Sequence, residues 1–145
     1  MGRAALVVVL GSVMLLGAGP AQAPGPTRGA TPVVPARREQ VVVVTVHHSR
    51  FSTDALRVAP GTDVRFVIRN TDPIDHELII GDAVVQLRHE RGTEAHHGAR
   101  PGEVSVEPGA EATTNYVFGA PGRIMFGCHL PGHWSYGMHG VIDVS

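Results

Sequence analysis

The chain has 145 residues, which is enough for one domain of ordinary size and some non-globular sequence, so a second independent domain is not expected. The combined Lys and Arg count of 12 is balanced by 13 Asp and Glu residues, and the basic residues are scattered, so no nucleic-acid-binding face is indicated. The single cysteine excludes an intramolecular disulfide. In an exported protein, such a residue indicates a reactive thiol or a metal ligand.

The N-terminal segment has the order of a secretory signal peptide. Arg3 precedes an uncharged apolar run, and small residues follow the run up to Ala23. We therefore expect residues 1–23 to be a signal peptide; an uncleaved membrane anchor is the alternative, although the run is short for a span of roughly 20 residues. Residues 24–39 are rich in Pro, Gly and Ala, which predicts a disordered linker. The protein is expected in the periplasm, outside the cell, or tethered to the outer face of the cytoplasmic membrane.

Residues 40–145 have the pattern of an all-β domain. Short β-branched or alternating segments recur, and Val64, Phe66 and Ile68 fall on one face of a strand. The strand segments, in chain order, are QVVVVTVHH, TDVRFVIRN, HELII, VSVEP, TTNYVFG, RIMFG and GVIDVS. Turn sequences that contain Pro or Gly separate most of them. Several short strands at this spacing predict a β-sandwich or barrel.

One segment, residues 86–103, breaks the strand pattern. It is charged and contains His89, His96 and His97. We expect a long surface excursion, with or without a helical turn. Histidines seven or eight positions apart fall on one face of a helix, so a second metal site is an alternative. The interleaved arginines favour a solvated charged segment over that site.

The sequence GCHLPGHWSYGMHG, residues 127–140, places Cys128, His133 and Met138 at equal intervals. A thiolate, an imidazole and a thioether are three of the four ligands of a type 1 copper site, whose trigonal plane also needs a second imidazole. Soft sulfur and nitrogen ligands favour copper over magnesium or calcium, with zinc as an alternative. Taken alone, Cys128 has a second interpretation as a small buried apolar residue.

The stretch FGCHLPGHWSYGMHGVIDV resembles the C-terminal copper loop of the cupredoxins, the type 1 blue copper proteins. Its spacing is most similar to rusticyanin-type and related bacterial plastocyanin/azurin-like proteins. The resemblance covers about residues 40–145 and implies a cupredoxin-like Greek-key β-sandwich that binds copper. By the same resemblance, NTDPIDHELIIGD supplies the first histidine. The implied ligands of the single copper ion are His76, Cys128 and His133 in the plane and Met138 at the axial position.

Neighbouring residues leave alternatives open. His47 and His48 are rivals for the first histidine position but lie outside any recognisable copper-loop pattern. His129 and His139 adjoin ligands on a tight loop and are expected to point away from the metal. Glu77 stands where many cupredoxins carry an Asn or Ser that braces the cysteine loop. The hydrogen bonding around the metal is therefore open, and a Glu77 carboxylate ligand is a further alternative.

The leading functional hypothesis is a non-enzymatic carrier of single electrons that alternates between Cu(II) and Cu(I), since this ligand set suits both oxidation states. The resemblance to cupredoxins implies that a redox partner, such as a cytochrome or a copper oxidoreductase, docks near His133, where Leu130 and Pro131 are apolar. Trp134 either joins that surface or packs on the loop. The alternative function is copper binding for trafficking, storage or resistance. A copper oxidase or nitrite reductase usually needs additional copper centres and more than one cupredoxin domain, and this chain is too short to supply them alone. No nucleic-acid partner is expected, and membrane association is expected only if the N-terminal segment is uncleaved.

Overall fold

Two β-sheets and one short helix make up the part of the chain that the computed structural model describes, residues 38–92, 96–97 and 100–145. The strands are β1 (Arg38–Val46), β2 (Ala55–Val58), β3 (Thr62–Asn70), β4 (His76–Gly81), β5 (Glu103–Val106), β6 (Glu111–Phe118), β7 (Gly122–Gly127) and β8 (His139–Val144). The helix, α1 (Ala83–Glu90), lies between β4 and β5 in the chain.

The strands form a three-stranded sheet in the order β1-β3-β6 and a five-stranded sheet in the order β2-β8-β7-β4-β5. β1 pairs with β3, and β2 with β8, in parallel; the remaining pairs are antiparallel. Sequence neighbours such as β1 and β2 lie in different sheets, so the chain crosses repeatedly between the layers. The predicted all-β sandwich is confirmed.

The core lies between the inner faces of the two sheets. Val64, Phe66 and Ile68 of β3 are at most 1% exposed, as their alternation predicts, and Ile142 of β8 is fully buried. All six residues of β4 are buried, because β4 lies between β5 and β7 and is also covered by α1. The helix begins after Asp82, whose carboxylate accepts hydrogen bonds from the first helical N–H groups.

One strand boundary and one additional strand differ from the sequence-based expectation. β1 begins at Arg38, so it includes the last two residues of the predicted linker, residues 24–39; its pairing with β3 extends that far. β2 was not predicted, because four residues are too few for a clear alternation and the strand is stabilised by pairing with β8. Residues 1–23 and the rest of the linker lie outside the described residues. Within the described ranges, no helix has the length and apolar character needed to cross a membrane.

The expectation of a solvated excursion over residues 86–103 is wrong in part. The segment begins inside α1, and His89, His97 and Glu103 are each at most 6% exposed. The backbone of His97 is hydrogen-bonded to Ser105 in both directions, which holds this part of the segment against β5. His96 is exposed, as expected.

Candidate metal centre

Three of the predicted ligands come together at one end of the sandwich. His76 is the first residue of β4, Cys128 directly follows β7, and His133 lies in the loop between β7 and β8. One ligand atom from each lies within 4.8 Å of the others. Sγ of Cys128 is 3.2 Å from Nδ1 of His133, and the imidazole centroids of His76 and His133 are 4.9 Å apart.

The fourth predicted ligand, Met138, is tied to this group through the backbone. Its N–H donates to the carbonyl of His133 at 3.0 Å, and its own carbonyl accepts from the N–H of Cys128 at 3.0 Å. The side chain of Met138 is fully buried. The loop is thus a closed turn that fixes the relative positions of Cys128, His133 and Met138.

Nδ1 of His76 is available to bind a metal ion. Its Nε2 lies 3.0 Å from Oδ2 of Asp72, and because an ionised carboxylate only accepts hydrogen bonds, Nε2 carries the proton. The lone pair is then on Nδ1, which is buried and has no hydrogen-bond partner within the described ranges. Burial lowers the pKa of His76, although the bond to Asp72 opposes this, so the neutral form is favoured. An unpartnered buried nitrogen of this kind fits a metal ligand.

Asp72 is held by a turn that precedes β2. His48 and Ser49 have positive φ angles of 49° and 52°, and their N–H groups each donate to the Asp72 carboxylate at 2.7 Å. Burial alone would raise the pKa of Asp72, but these hydrogen bonds and the one from His76 together lower it. His48 therefore acts on the site through its backbone. Sequence reasoning missed Asp72; a carboxylate four residues before the candidate histidine was the available signal.

Cys128 is a buried thiol in the metal-free protein. Burial raises its pKa to about 12, although backbone N–H groups of Leu130 and Glu77 bond to the sulfur and oppose the increase. A metal that binds this sulfur must displace its proton. One soft sulfur, two imidazoles and a thioether are the ligand types of type 1 copper sites. The residues present therefore fit a copper ion.

Glu77 acts as a brace for the cysteine loop. Its Oε1 accepts the N–H of His129 at 2.6 Å, and the residue is 5% exposed. The residue next to His76 is thereby joined to the residue next to Cys128. The carboxylate of Glu77 is not part of the group of three converging ligand atoms. The structure thus answers the question that the sequence left open, with a carboxylate in place of Asn or Ser.

The other loop histidines are engaged elsewhere. The two ring nitrogens of His129 lie 2.8 Å from Glu90 and 2.7 Å from Gln86. Trp134 stacks between His129 and His139, with ring centroids 4.7 Å apart on each side. Trp134 therefore packs on the loop, which was one of its two interpretations.

The family assignment follows from comparison with known proteins. A family model described as copper binding proteins of the plastocyanin/azurin family matches residues 39–145. The chain belongs to the plastocyanin/azurin family of copper-binding proteins. The predictions of a cupredoxin and of a type 1 copper cofactor are confirmed by this match together with the converging His76, Cys128 and His133.

Solved structures agree with the fold of this cupredoxin. Auracyanin B matches with a TM-score of 0.62 and 19% identity, over 77% of this chain and 93% of that chain. Auracyanin from Roseiflexus castenholzii matches with a TM-score of 0.61 and 19% identity, over 76% of this chain and 99% of that chain. At this identity the likeness concerns the fold alone.

Three curated relatives of this cupredoxin are each named copper-resistant cuproprotein CopI. The Vibrio cholerae protein is 36% identical over 90 residues, which cover 60% of this chain and 53% of the relative. The Rubrivivax gelatinosus protein is 34% identical over 107 residues, which cover 72% and 65%. The Pseudomonas aeruginosa protein is 27% identical over 97% of this chain and 94% of its own length. The match thus spans about half of the Vibrio cholerae protein and nearly all of the Pseudomonas aeruginosa protein.

Proposed function

We propose that this cupredoxin is a copper-resistance protein that binds one copper ion outside the cytoplasm. The proposed ligands are His76, Cys128, His133 and Met138. The observation that carries the site is the buried, unpartnered Nδ1 of His76 beside Cys128 and His133. The role in resistance is supported by three relatives that bear that name. Export is supported by the order of residues at the N-terminus.

The residues around the proposed copper site orient its ligands and shield most of them from solvent. Asp72 fixes the ring of His76, and Glu77 holds the backbone beside Cys128. Cys128 and Met138 are fully buried, whereas His133 is half-buried. When bound, copper supplies one-electron chemistry between Cu(II) and Cu(I). A buried thiolate and two imidazoles favour copper strongly, so the protein would lower the free copper concentration around it.

The proposal is tested by copper tolerance in the source organism. Deletion of the gene should reduce growth in copper-supplemented medium, and the wild-type gene should restore it. Cys128→Ser should fail to restore growth, whereas the matched control His96→Gln, at an exposed histidine, should succeed. A deletion strain that tolerates copper as well as its parent contradicts the proposal, as does rescue by Cys128→Ser at equal protein level. Cell fractionation of the same strains tests export, and protein found with the cytoplasm contradicts it.

Electron transfer is a second candidate, and the surface around His133 favours it. His133 is half-buried, Pro131 is exposed, and Tyr136 is 67% exposed, so an apolar surface adjoins the ligand histidine that reaches the solvent. Such a surface fits the docking of a redox protein. The test is stopped-flow mixing of the copper-loaded protein with a reduced c-type cytochrome. Rapid oxidation of the cytochrome that Pro131→Glu slows supports this role, and no exchange contradicts it.

A further inference from the structure

A second group of metal-ligating side chains lies beside Glu77, whose Oε2 is 3.4 Å from Nε2 of His97. His89 of α1, His97 and Glu103 of β5 are all buried, and one ligand atom of each lies within 4.8 Å of the others. His89 and His97 line a cavity of about 470 Å³ that Glu77 and His129 also line. The group is therefore distinct from the copper loop but adjoins its brace.

The imidazole of His89 presents a lone pair to this group. Its Nδ1 donates to the carbonyl of Val85 at 2.9 Å, within α1, so Nδ1 carries the proton of the neutral ring. Its Nε2 is buried and has no hydrogen-bond partner within the described ranges, although Oε2 of Glu103 is only 3.4 Å away. Buried nitrogens normally have a hydrogen-bond partner, and a cation bound at Nε2 of His89 would explain why this one has none in the part of the chain that the structure describes.

The imidazole of His97 lies between the carboxylates of Glu77 and Glu103. Its Nε2 lies 3.4 Å from Oε2 of Glu77, which can only accept, and its Nδ1 lies 3.6 Å from Oε2 of Glu103. Nε2 of His89 and Nδ1 of His97 thus both face Oε2 of Glu103, at 3.4 Å and 3.6 Å. The outer nitrogen of His89 is bonded to a carbonyl oxygen, which is the usual arrangement around a metal-binding histidine.

Two guanidinium groups contact the carboxylate of Glu103, and one of them lies at the oxygen that the histidines face. Arg88 bonds to Oε1, whereas the two histidines face Oε2. Arg100 lies 3.5 Å from Oε2, so one guanidinium shares the oxygen that faces the two rings. Nε2 of His89 and Oε2 of Glu103 are both electron-pair donors when the histidine is neutral. Their close approach is stabilised when a proton or a metal ion lies between them.

We propose that His89, His97 and Glu103 form a second metal site, which takes a divalent ion that prefers imidazole and carboxylate ligands. Cu(II) is the first expected occupant and Zn(II) the second, since affinity of such sites is greatest for Cu(II). The site goes beyond the proposed function, because it contains no sulfur ligand and does not require the type 1 site to be filled. A copper ion held here would lack the thiolate bond that gives a type 1 site its colour.

The test counts copper on the purified, folded protein. Metal-free wild-type protein is incubated with excess Cu(II), desalted and analysed for bound copper, with visible and electron paramagnetic resonance spectra recorded. We expect about two copper ions per chain, with an intense visible band from the first and a colourless, ordinary tetragonal Cu(II) signal from the second. His89→Gln, His97→Gln and Glu103→Gln should each hold about one copper ion and keep the intense band.

Two matched controls keep the result interpretable. His96→Gln alters an exposed histidine next to His97, Glu107→Gln alters an exposed glutamate that follows β5, and both variants should hold as much copper as the wild type. Retention of the intense band shows that a variant is folded, so loss of the second ion cannot be assigned to unfolding. One copper ion per wild-type chain, or two in both His89→Gln and His97→Gln, overturns the second site. Absence of the intense band with the second signal present would instead contradict the proposed type 1 site.

Discussion

Replacement of Glu77 with alanine tests the brace between β4, which begins with His76, and the loop that begins with Cys128. The side chain is buried, and its Oε1 accepts the N–H of His129 at 2.6 Å. Its Oε2 lies 3.4 Å from Nε2 of His97. The substitution removes both contacts and leaves the partly buried N–H of His129 without this acceptor.

The size of the effect follows from these contacts. A hydrogen bond to a charged acceptor contributes about 1.5–3 kcal/mol, and an unsatisfied buried donor costs about 1–3 kcal/mol. We therefore expect Glu77→Ala to lower the free energy of unfolding of the metal-free protein by about 3 kcal/mol. This value includes part of the energetic cost of the small cavity that the substitution leaves. Glu77→Gln keeps a carbonyl oxygen near the same N–H and should cost only about 1 kcal/mol.

The assay is urea unfolding followed by the fluorescence of Trp134, the only tryptophan. Glu107→Ala, at an exposed glutamate, is the matched control. The same variants are then loaded with Cu(II), and Glu77→Ala should show a weakened or shifted visible band, because the backbone next to Cys128 is no longer fixed. If Glu77→Ala unfolds within about 0.5 kcal/mol of the control and keeps the wild-type band, Glu77 does not brace the loop.

Three further predictions concern residues around the copper loop. A Cβ on Gly127 would lie 2.6 Å from Cε3 of Trp134, so Gly127→Ala should destabilise the protein by about 1–3 kcal/mol in urea unfolding; wild-type stability would show that Trp134 shifts freely. Asp72→Asn should weaken copper affinity about 10–100-fold in a chelator competition, whereas Asp75→Asn should not, and equal affinities would mean that Asp72 does not orient His76. The thiol of metal-free Cys128 should react with a disulfide reagent at least about 100-fold more slowly in the folded than in the urea-unfolded protein, and equal rates would contradict its burial.

The parts of the fold that were predictable are those with local sequence signals. The alternation of Val64, Phe66 and Ile68 marks β3, and the strand segments around Cys128 mark β7 and β8. β2 depends on parallel pairing of Ala55–Val58 with β8, which is distant in sequence, so four residues carry too little information to predict it.

The candidate copper centre was predictable because three of its side chains lie on one loop with fixed spacing. Its supporting contacts were not, since Asp72 and Glu77 act through hydrogen bonds that only the folded chain brings together. The second cluster shows the same limit. Reasoning from one helix face failed because α1 ends at Glu90, and His97 reaches His89 only through its pairing with β5.

The most direct test of the account is a titration of the metal-free protein with Cu(II), followed by visible absorption and electron paramagnetic resonance. The account predicts an intense thiolate-to-copper band that saturates at one copper ion per chain, is lost in Cys128→Ser and is lost or shifted in His76→Ala. A colourless complex, or a native band that persists in Cys128→Ser or in His76→Ala, would contradict a type 1 copper centre at these residues.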